Sequence, residues 1–328
     1  MADDLERRVI VWRVTQECNL GCGFCSYSNR LIRLRNDAEP GRVGRFGDVL
    51  GKYAKQTGRR ILVSWIGGEP LLWPALFDVS TTFVREYGLD VSMTTNGLLL
   101  RSRRNVERVV DDFAEIVISL DGMAHFNDRV RQRPGLFESV KKSICDLVDL
   151  RISKAKPLVV KVNTILMRDN IEQFEKLCEQ LQSWGVQELT FNQLGGYDRP
   201  EFFPANRLQT SQVHAFTQSL DGWKASFAKK GLIIRGSSDY LHRFDCSSRD
   251  RKIPVEDCAP GAWFWFINEK GCVSPCSYTS YEYAVDIDSI GQPDRIDRIE
   301  SDFRSMRAER RSRFCEDCHC TQQYAKFS

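Results

Sequence analysis

Between residues 9 and 193, short apolar runs alternate with amphipathic stretches, and nothing else in the 328-residue chain constrains its fold as strongly. The apolar runs predict six strands, at Val9–Thr15, Arg60–Ile66, Asp90–Thr95, Ala114–Leu120, Leu158–Leu166 and Gln187–Asn192. The stretches between them carry apolar residues at helical spacing. Ile171, Phe174, Leu177, Cys178, Leu181 and Trp184 share one face ahead of a terminating Gly185, and Phe137, Val140, Ile144, Leu147 and Val148 share another. Six strand–helix alternations imply a parallel sheet with right-handed crossovers, either open and doubly wound or an incomplete barrel. In both, ligands bind at the C-terminal ends of the strands.

Past Gly195-Gly196 the pattern breaks. An irregular proline-containing connector leads to one more helical stretch, Thr210 to Lys230, and from Cys258 the text is rich in cysteine. There Ala262–Asn268 and Cys272–Pro275 flank Glu269-Lys270-Gly271 as the arms of a β-hairpin. We place a domain boundary at 235/236, giving a sheet domain over 1–235 and a cysteine-rich domain over 236–328.

The chain has 12 cysteines, no run of apolar residues long enough to span a bilayer, and no apolar signal-peptide core near its start. This composition predicts a cytoplasmic protein in a reducing compartment, where clustered cysteines serve metal binding or catalysis rather than disulfides. A net charge of +3 is too weak to argue for nucleic acid. Cys18-Asn-Leu-Gly-Cys22-Gly-Phe-Cys25 follows the first strand directly. Three thiolates within eight residues converge on one metal centre, and Gly21 and Gly23 let the loop wrap around it. Cubane iron–sulfur clusters take four thiolates; with three local ones, one iron stays open to a ligand.

These residues carry a resemblance. CxxxCxxC after the first strand, with the aromatic Phe24 before the last cysteine, resembles the signature of the radical S-adenosylmethionine (SAM) superfamily. Gly67-Gly68-Glu69-Pro70 after the second strand resembles the family's GGEP segment, which holds the SAM amino group. Asn96, Ser119, Asp121, Asn163 and Asn192, at or near the ends of later strands, resemble polar positions of the SAM pocket. The resemblance implies a partial (β/α)6 TIM-like barrel, a [4Fe–4S] cluster on Cys18, Cys22 and Cys25, and an electron donor such as flavodoxin or ferredoxin. It further implies reductive cleavage of SAM to a 5′-deoxyadenosyl radical. Strand alternation puts Lys161 on the face of Asn163, as a candidate contact to SAM or substrate, and Thr190 with Asn192.

The later cysteines resemble the twitch and SPASM domains of one subgroup, in layout those of the 2-deoxy-scyllo-inosamine dehydrogenase family. The shorter twitch pattern implies one auxiliary [4Fe–4S] cluster on Cys258, Cys276, Cys315 and Cys318, with Cys272 and Cys320 as possible replacements. Cys315-x-x-Cys318 beside His319 also suits zinc. Cys145 and Cys178 read as core residues. Cys246, in what reads as a polar connector near the barrel mouth, is a candidate hydrogen-atom donor to a substrate radical.

The leading expectation is a radical SAM enzyme acting on a small polar natural-product intermediate (a sugar, aminocyclitol or nucleoside), with oxidation, epimerisation or decarboxylation following. A first strand beginning near residue 9 leaves no room ahead of it for a peptide-recognition domain, which makes peptide modification the alternative. An iron–sulfur electron carrier or sensor is the reading of another class.

Overall fold

The computed structural model describes residues 7–321, 323 and 324. The six apolar runs form β1 (Arg8–Thr15), β2 (Ile61–Gly67), β3 (Asp90–Thr95), β4 (Glu115–Ser119), β5 (Val159–Leu166) and β6 (Glu188–Gln193). Four short strands follow: β7 (Ile233–Ile234), β8 (Phe264–Ile267), β9 (Cys272–Ser274) and β10 (Val285–Asp286). Neighbouring strands among β1–β7 pair in parallel. The crossovers include the helices Pro40–Thr57, Leu76–Arg85, Arg103–Asp112, Leu136–Ser153 and Phe174–Ser183. The first of these starts with Pro40 behind a Glu39 cap that accepts from the amides of Gly41 and Arg42, and stops at Gly58 in left-handed conformation.

The core lies between the sheet and its covering helices. Trp12 and Trp65 are fully buried with ring centroids 5.8 Å apart, and Phe83 packs on Trp65 at 5.2 Å. Burying each such side chain stabilises the fold by roughly 1.5–3 kcal/mol. Along β5 buried and half-buried residues alternate, so Val160, Val162 and Thr164 face the helices while Lys161, Asn163 and Ile165 face the other way, as strand periodicity expects. This is the partial barrel with a cysteine-rich C-terminal part. No helix among the described residues is long and apolar enough to cross a membrane.

The expected hairpin is present, with β8 and β9 antiparallel, but it is not a separate layer. β8 pairs in parallel with the free edge of β1, Val9 opposite Phe264 and Trp12 opposite Ile267. The sheet order is therefore β10-β9-β8-β1-β2-β3-β4-β5-β6-β7, continuous across residues 235 and 236. A buried ion pair locks this joint. Arg13 Nε donates to Glu269 Oε2 at 2.7 Å, and Gln16 Nε2 donates to Glu269 Oε1 at 2.7 Å. The Glu269 side chain has no exposed surface, and that of Arg13 is 9% exposed. Removing one partner strands a buried charge, so Glu269→Ala is expected to cost about 3–5 kcal/mol. Denaturant unfolding tests this; a loss under about 1 kcal/mol, the value of an exposed pair, contradicts it.

Candidate active site

The chain leaving β1 and the chain leaving β2 touch through backbone alone. The amide of Gly68 donates to the Thr15 carbonyl at 2.9 Å and that of Glu69 to the Glu17 carbonyl at 2.7 Å. A Cβ at Gly67 would stand 2.6 Å from the Thr15 oxygen, and one at Gly68 only 2.1 Å from the Glu17 oxygen. The two glycines are there to let β2 press against the segment that carries Cys18. These amides are spent inside the protein.

Glu69 is likewise turned inward. Its fully buried carboxylate accepts from Thr95 Oγ1 at 2.7 Å, the Asn96 amide at 2.8 Å and the Leu71 amide at 3.2 Å. Burial raises its pKa, and those three donors oppose the rise. Pro70 is buried at the start of the short turn after it. Asn96, so fixed, donates to Asn19 Oδ1 at 2.8 Å, with its Nδ2 4.0 Å from Cys18 Sγ. Glu69 thus holds the end of β3 against the cysteine loop.

Of the three thiols of that loop, Cys22 is buried and Cys18 and Cys25 are partly buried. Burial pushes Cys18 up to about 11 and Cys22 up to about 12, and raises Cys25; Cys25 adds to the rise at both of the others. The Tyr27 amide donates to Cys25 Sγ at 3.3 Å. Three partly desolvated thiols of one loop, two of which feel the charge of the third, favour the thiolate form only with positive charge among them, which iron supplies. The donor set therefore fits an iron–sulfur cluster.

Arg131 is the residue that sequence reasoning missed. It is 5% exposed and forms a 2.8 Å ion pair with fully buried Asp121, whose other oxygen accepts from the Ile165 amide at 2.9 Å. Its backbone carbonyl lies 4.0 Å from Cys22 Sγ and its guanidinium sits over the Phe24 ring at 5.9 Å. Its Nε is buried without a hydrogen-bond partner among the described residues. Asp121, expected to line a ligand pocket, accepts from the Ile165 amide through Oδ1 and lies in ion-pair contact with Arg131 through Oδ2, which has no hydrogen-bond partner among the described residues. Phe24 packs on Phe202 at 6.4 Å.

Ser119, Asn163 and Thr190 stand in one row across β4, β5 and β6. Asn163 Oδ1 accepts from Thr190 Oγ1 at 2.9 Å and from Asn192 Nδ2 at 3.3 Å, and Tyr240 donates to Asn192 Oδ1 at 3.0 Å. Lys161 does not join them. Its ammonium pairs with Glu115 at 2.9 Å and Glu188 at 3.3 Å, residues that begin β4 and β6, so it lies at the opposite end of the strands from that row. Cys246 is also displaced from expectation. It is buried in the helix Ser238–Ser248, which Ser237 caps, and its sulfur lies 3.6 Å from His242, one turn away. The segment is helix and not a connector across the barrel mouth, because Tyr240 and Phe244 anchor it on Phe191.

A second thiol group surrounds a cavity of about 180 Å³, lined by Cys258, Cys276, Cys315, Cys318 and Cys320. Cys272 is not in its wall; it sits in β9 opposite Asp286. A hydrogen bond with Cys320, its largest influence, helps draw Cys276 down to about 6 against the effect of burial. Arg307 donates to Cys258 Sγ at 3.3 Å. His319, weighed above as a zinc ligand, faces Arg243 at 2.6 Å and is absent from the wall. A cavity walled by five cysteines has the donor set of a cysteine-held iron–sulfur centre. The Tyr197 ring touches Tyr278 and Phe314 of this wall, joining the loop after β6 to the second group.

The comparisons agree with this geometry. A family model described as the radical SAM superfamily matches residues 12–181. The AdoMet-dependent heme synthase of Oleidesulfovibrio alaskensis is 24% identical over 296 residues, covering 83% of this chain and 70% of that protein. The mycofactocin maturase MftC of Mycobacterium tuberculosis is 20% identical over 315 residues, covering 94% of this chain and 75% of its own length. Among solved structures, Streptococcus suis SuiB bound to S-adenosylmethionine superposes with a TM-score of 0.68 at 16% identity, over 97% of this chain and 72% of SuiB. SuiB bound to its precursor peptide SuiA superposes at 0.67.

The contact of β2 with the cysteine segment yields a prediction. Gly68→Ala puts a methyl group against a backbone oxygen that has no room to retreat. The variant is expected to lose iron at the first thiol group and keep it at the second, as read by iron content and visible absorbance. Full iron at both sites contradicts it.

Proposed function

The chain belongs to the radical SAM superfamily, and from that premise we propose that it is a radical SAM enzyme of the twitch or SPASM type that modifies a peptide. SAM and a [4Fe–4S] cluster are the cofactors of this family. When bound, they supply a 5′-deoxyadenosyl radical that takes a hydrogen atom from substrate. The residues of this chain do the rest. Cys18, Cys22 and Cys25 hold the first cluster, and Glu69 keeps Asn96 and the strand ends in place around it. Arg131, with a buried unpartnered Nε beside the thiol loop, holds an anionic group such as the SAM carboxylate, and Asp121 keeps it aimed. The Asn163–Thr190–Asn192–Tyr240 set orients the ligand from the sheet.

The second group holds an auxiliary cluster with Cys258, Cys276, Cys315 and Cys318, Cys320 standing by as a replacement. That observation carries the reading: two sets of thiols, one after the end of β1 and one around the C-terminal cavity. An electron carrier or sensor has no use for the enclosed polar site built around Glu69 and Arg131. The choice of a peptide rests on SuiB, whose structure holds one, and on the likeness to a maturase; the sugar, aminocyclitol or nucleoside substrate expected from sequence becomes the competing outcome. A flavodoxin or ferredoxin supplies the electron.

Anaerobically reconstituted protein is expected to carry about eight irons per chain, as two cubanes, falling by about half when Cys18, Cys22 and Cys25 are all changed to Ala. Saturation near four irons with bound zinc removes the auxiliary cluster from the reading. Substrate class is tested by deuterium transfer into 5′-deoxyadenosine, offering a deuterated peptide encoded beside the gene and, separately, deuterated aminocyclitols. Label from the peptide supports the proposal; label from the aminocyclitols alone overturns it.

A further inference from the structure

The chain leaving Cys25 stays at the surface before it reaches the helix Pro40–Thr57. Within it Ile32 is 106% exposed and Leu34 is 92% exposed, the two most exposed large apolar side chains among the described residues. Their exposure is built into the segment. Arg35 donates to four backbone carbonyls, those of Gln16 and Tyr27 through Nη1 and those of Ser28 and Leu31 through Nη2, at 2.7 to 3.3 Å. Arg33 donates to the Ser26 carbonyl at 2.8 Å and covers the Tyr27 ring at 5.3 Å. The Arg30 side chain lies against Gly21, inside the first cysteine loop. The only carboxylate within ion-pair distance of these three arginines, among the described residues, is Glu17, 3.9 Å from Arg35. The result is two apolar tips set among guanidinium groups, of which those of Arg30 and Arg33 pair with no carboxylate among the described residues, four to eleven residues beyond Cys25.

We propose that Asn29–Asn36 is the docking surface for a small acidic electron-transfer protein that reduces the centre held by Cys18, Cys22 and Cys25. The inference rests on the functional reading above, which requires one electron from outside. That electron leaves the partner's reduced flavin or iron–sulfur centre, which is oxidised, and enters the first cluster, which is reduced. The short path favours this place: Tyr27, whose amide meets Cys25 Sγ at 3.3 Å, carries the ring that Arg33 covers. Charge favours this class of partner. Clustered cations steer an acidic protein and raise its encounter rate, and the apolar tips supply the dry centre that a polar-rimmed contact needs. A basic and apolar segment also suits an anionic membrane surface, which the test includes as an opposing outcome.

The test uses the full reconstituted chain, a photoreduced acidic flavodoxin and, separately, dithionite. A charge-reversed variant, Arg33→Glu, and a double variant, Ile32→Ser with Leu34→Ser, are compared with wild type. Flavodoxin-driven reduction of the first cluster, followed by EPR, is expected to slow by about tenfold or more in the charge-reversed variant and to lose its salt dependence. The serine variant is expected to slow it with salt dependence retained. Iron content and dithionite-driven 5′-deoxyadenosine release stay at wild-type values in both, which separates docking from folding. Unchanged flavodoxin rates overturn the proposal, as does binding to phosphatidylserine vesicles that the serine variant loses while flavodoxin rates hold. Failure of dithionite to produce 5′-deoxyadenosine from wild type overturns the functional reading itself, and this proposal with it.

Discussion

Strand β1 pairs in parallel along both edges, with β2 on one side and β8 on the other, and the rest of the architecture depends on that. Because all three strands run the same way, the end of β1, the end of β2 and the β8–β9 turn meet at one place. From the first comes the cysteine loop, from the second the Gly67–Pro70 segment, and from the third Glu269, which closes on Arg13 and Gln16. An ion pair buried this deeply contributes little net stability against an apolar alternative, but it tolerates only one register. It fixes the C-terminal part against the very strand from which Cys18 departs.

The strands themselves were legible because each is a short apolar run bounded by turn residues, and such runs survive with little dependence on context; observed bounds lie within one residue of those expected. The joint between β8 and β1 was not. Pairing between strands some 250 residues apart leaves no local trace, and a hairpin next to a cysteine-rich text looks like an independent unit. The helix Ser238–Ser248 was read as a connector although its signals were present: a serine cap at 237, then Tyr240 and Phe244 four apart on one face. Polar neighbours masked a two-residue apolar stripe.

At the site, spacing in the sequence located the thiols, since three ligands within eight residues must converge wherever the loop lies. The same text could not separate ligand-facing side chains from those that position them. Lys161 shares its face with Asn163, as alternation requires, yet alternation says nothing of height along the strand. Two residues earlier is enough to place the ammonium between Glu115 and Glu188 at the other rim. Arg131 went unremarked because an arginine on a helix end is ordinarily solvated; only its tertiary pairing with Asp121 draws it inside.

Glu69 and Asp121 follow one pattern. Each is a carboxylate without exposed surface at a strand end, and each spends its oxygens on the protein: Glu69 on Thr95, Asn96 and Leu71, Asp121 on Arg131 and the Ile165 amide. Desolvating two carboxylates near three thiols is unfavourable unless they are hydrogen-bonded or paired with a cation within the protein. These contacts hold the surroundings of the cysteine loop in place before any ligand arrives, and a preorganised polar site needs no rearrangement when charge appears in it. The charge balance shows where that rigidity is directed. Arg131 is a cation this shell brings to all three thiols, and it is paired with Asp121. On the reading proposed above, the site keeps its remaining donor, the Arg131 Nε, for a ligand that brings its own anion next to iron.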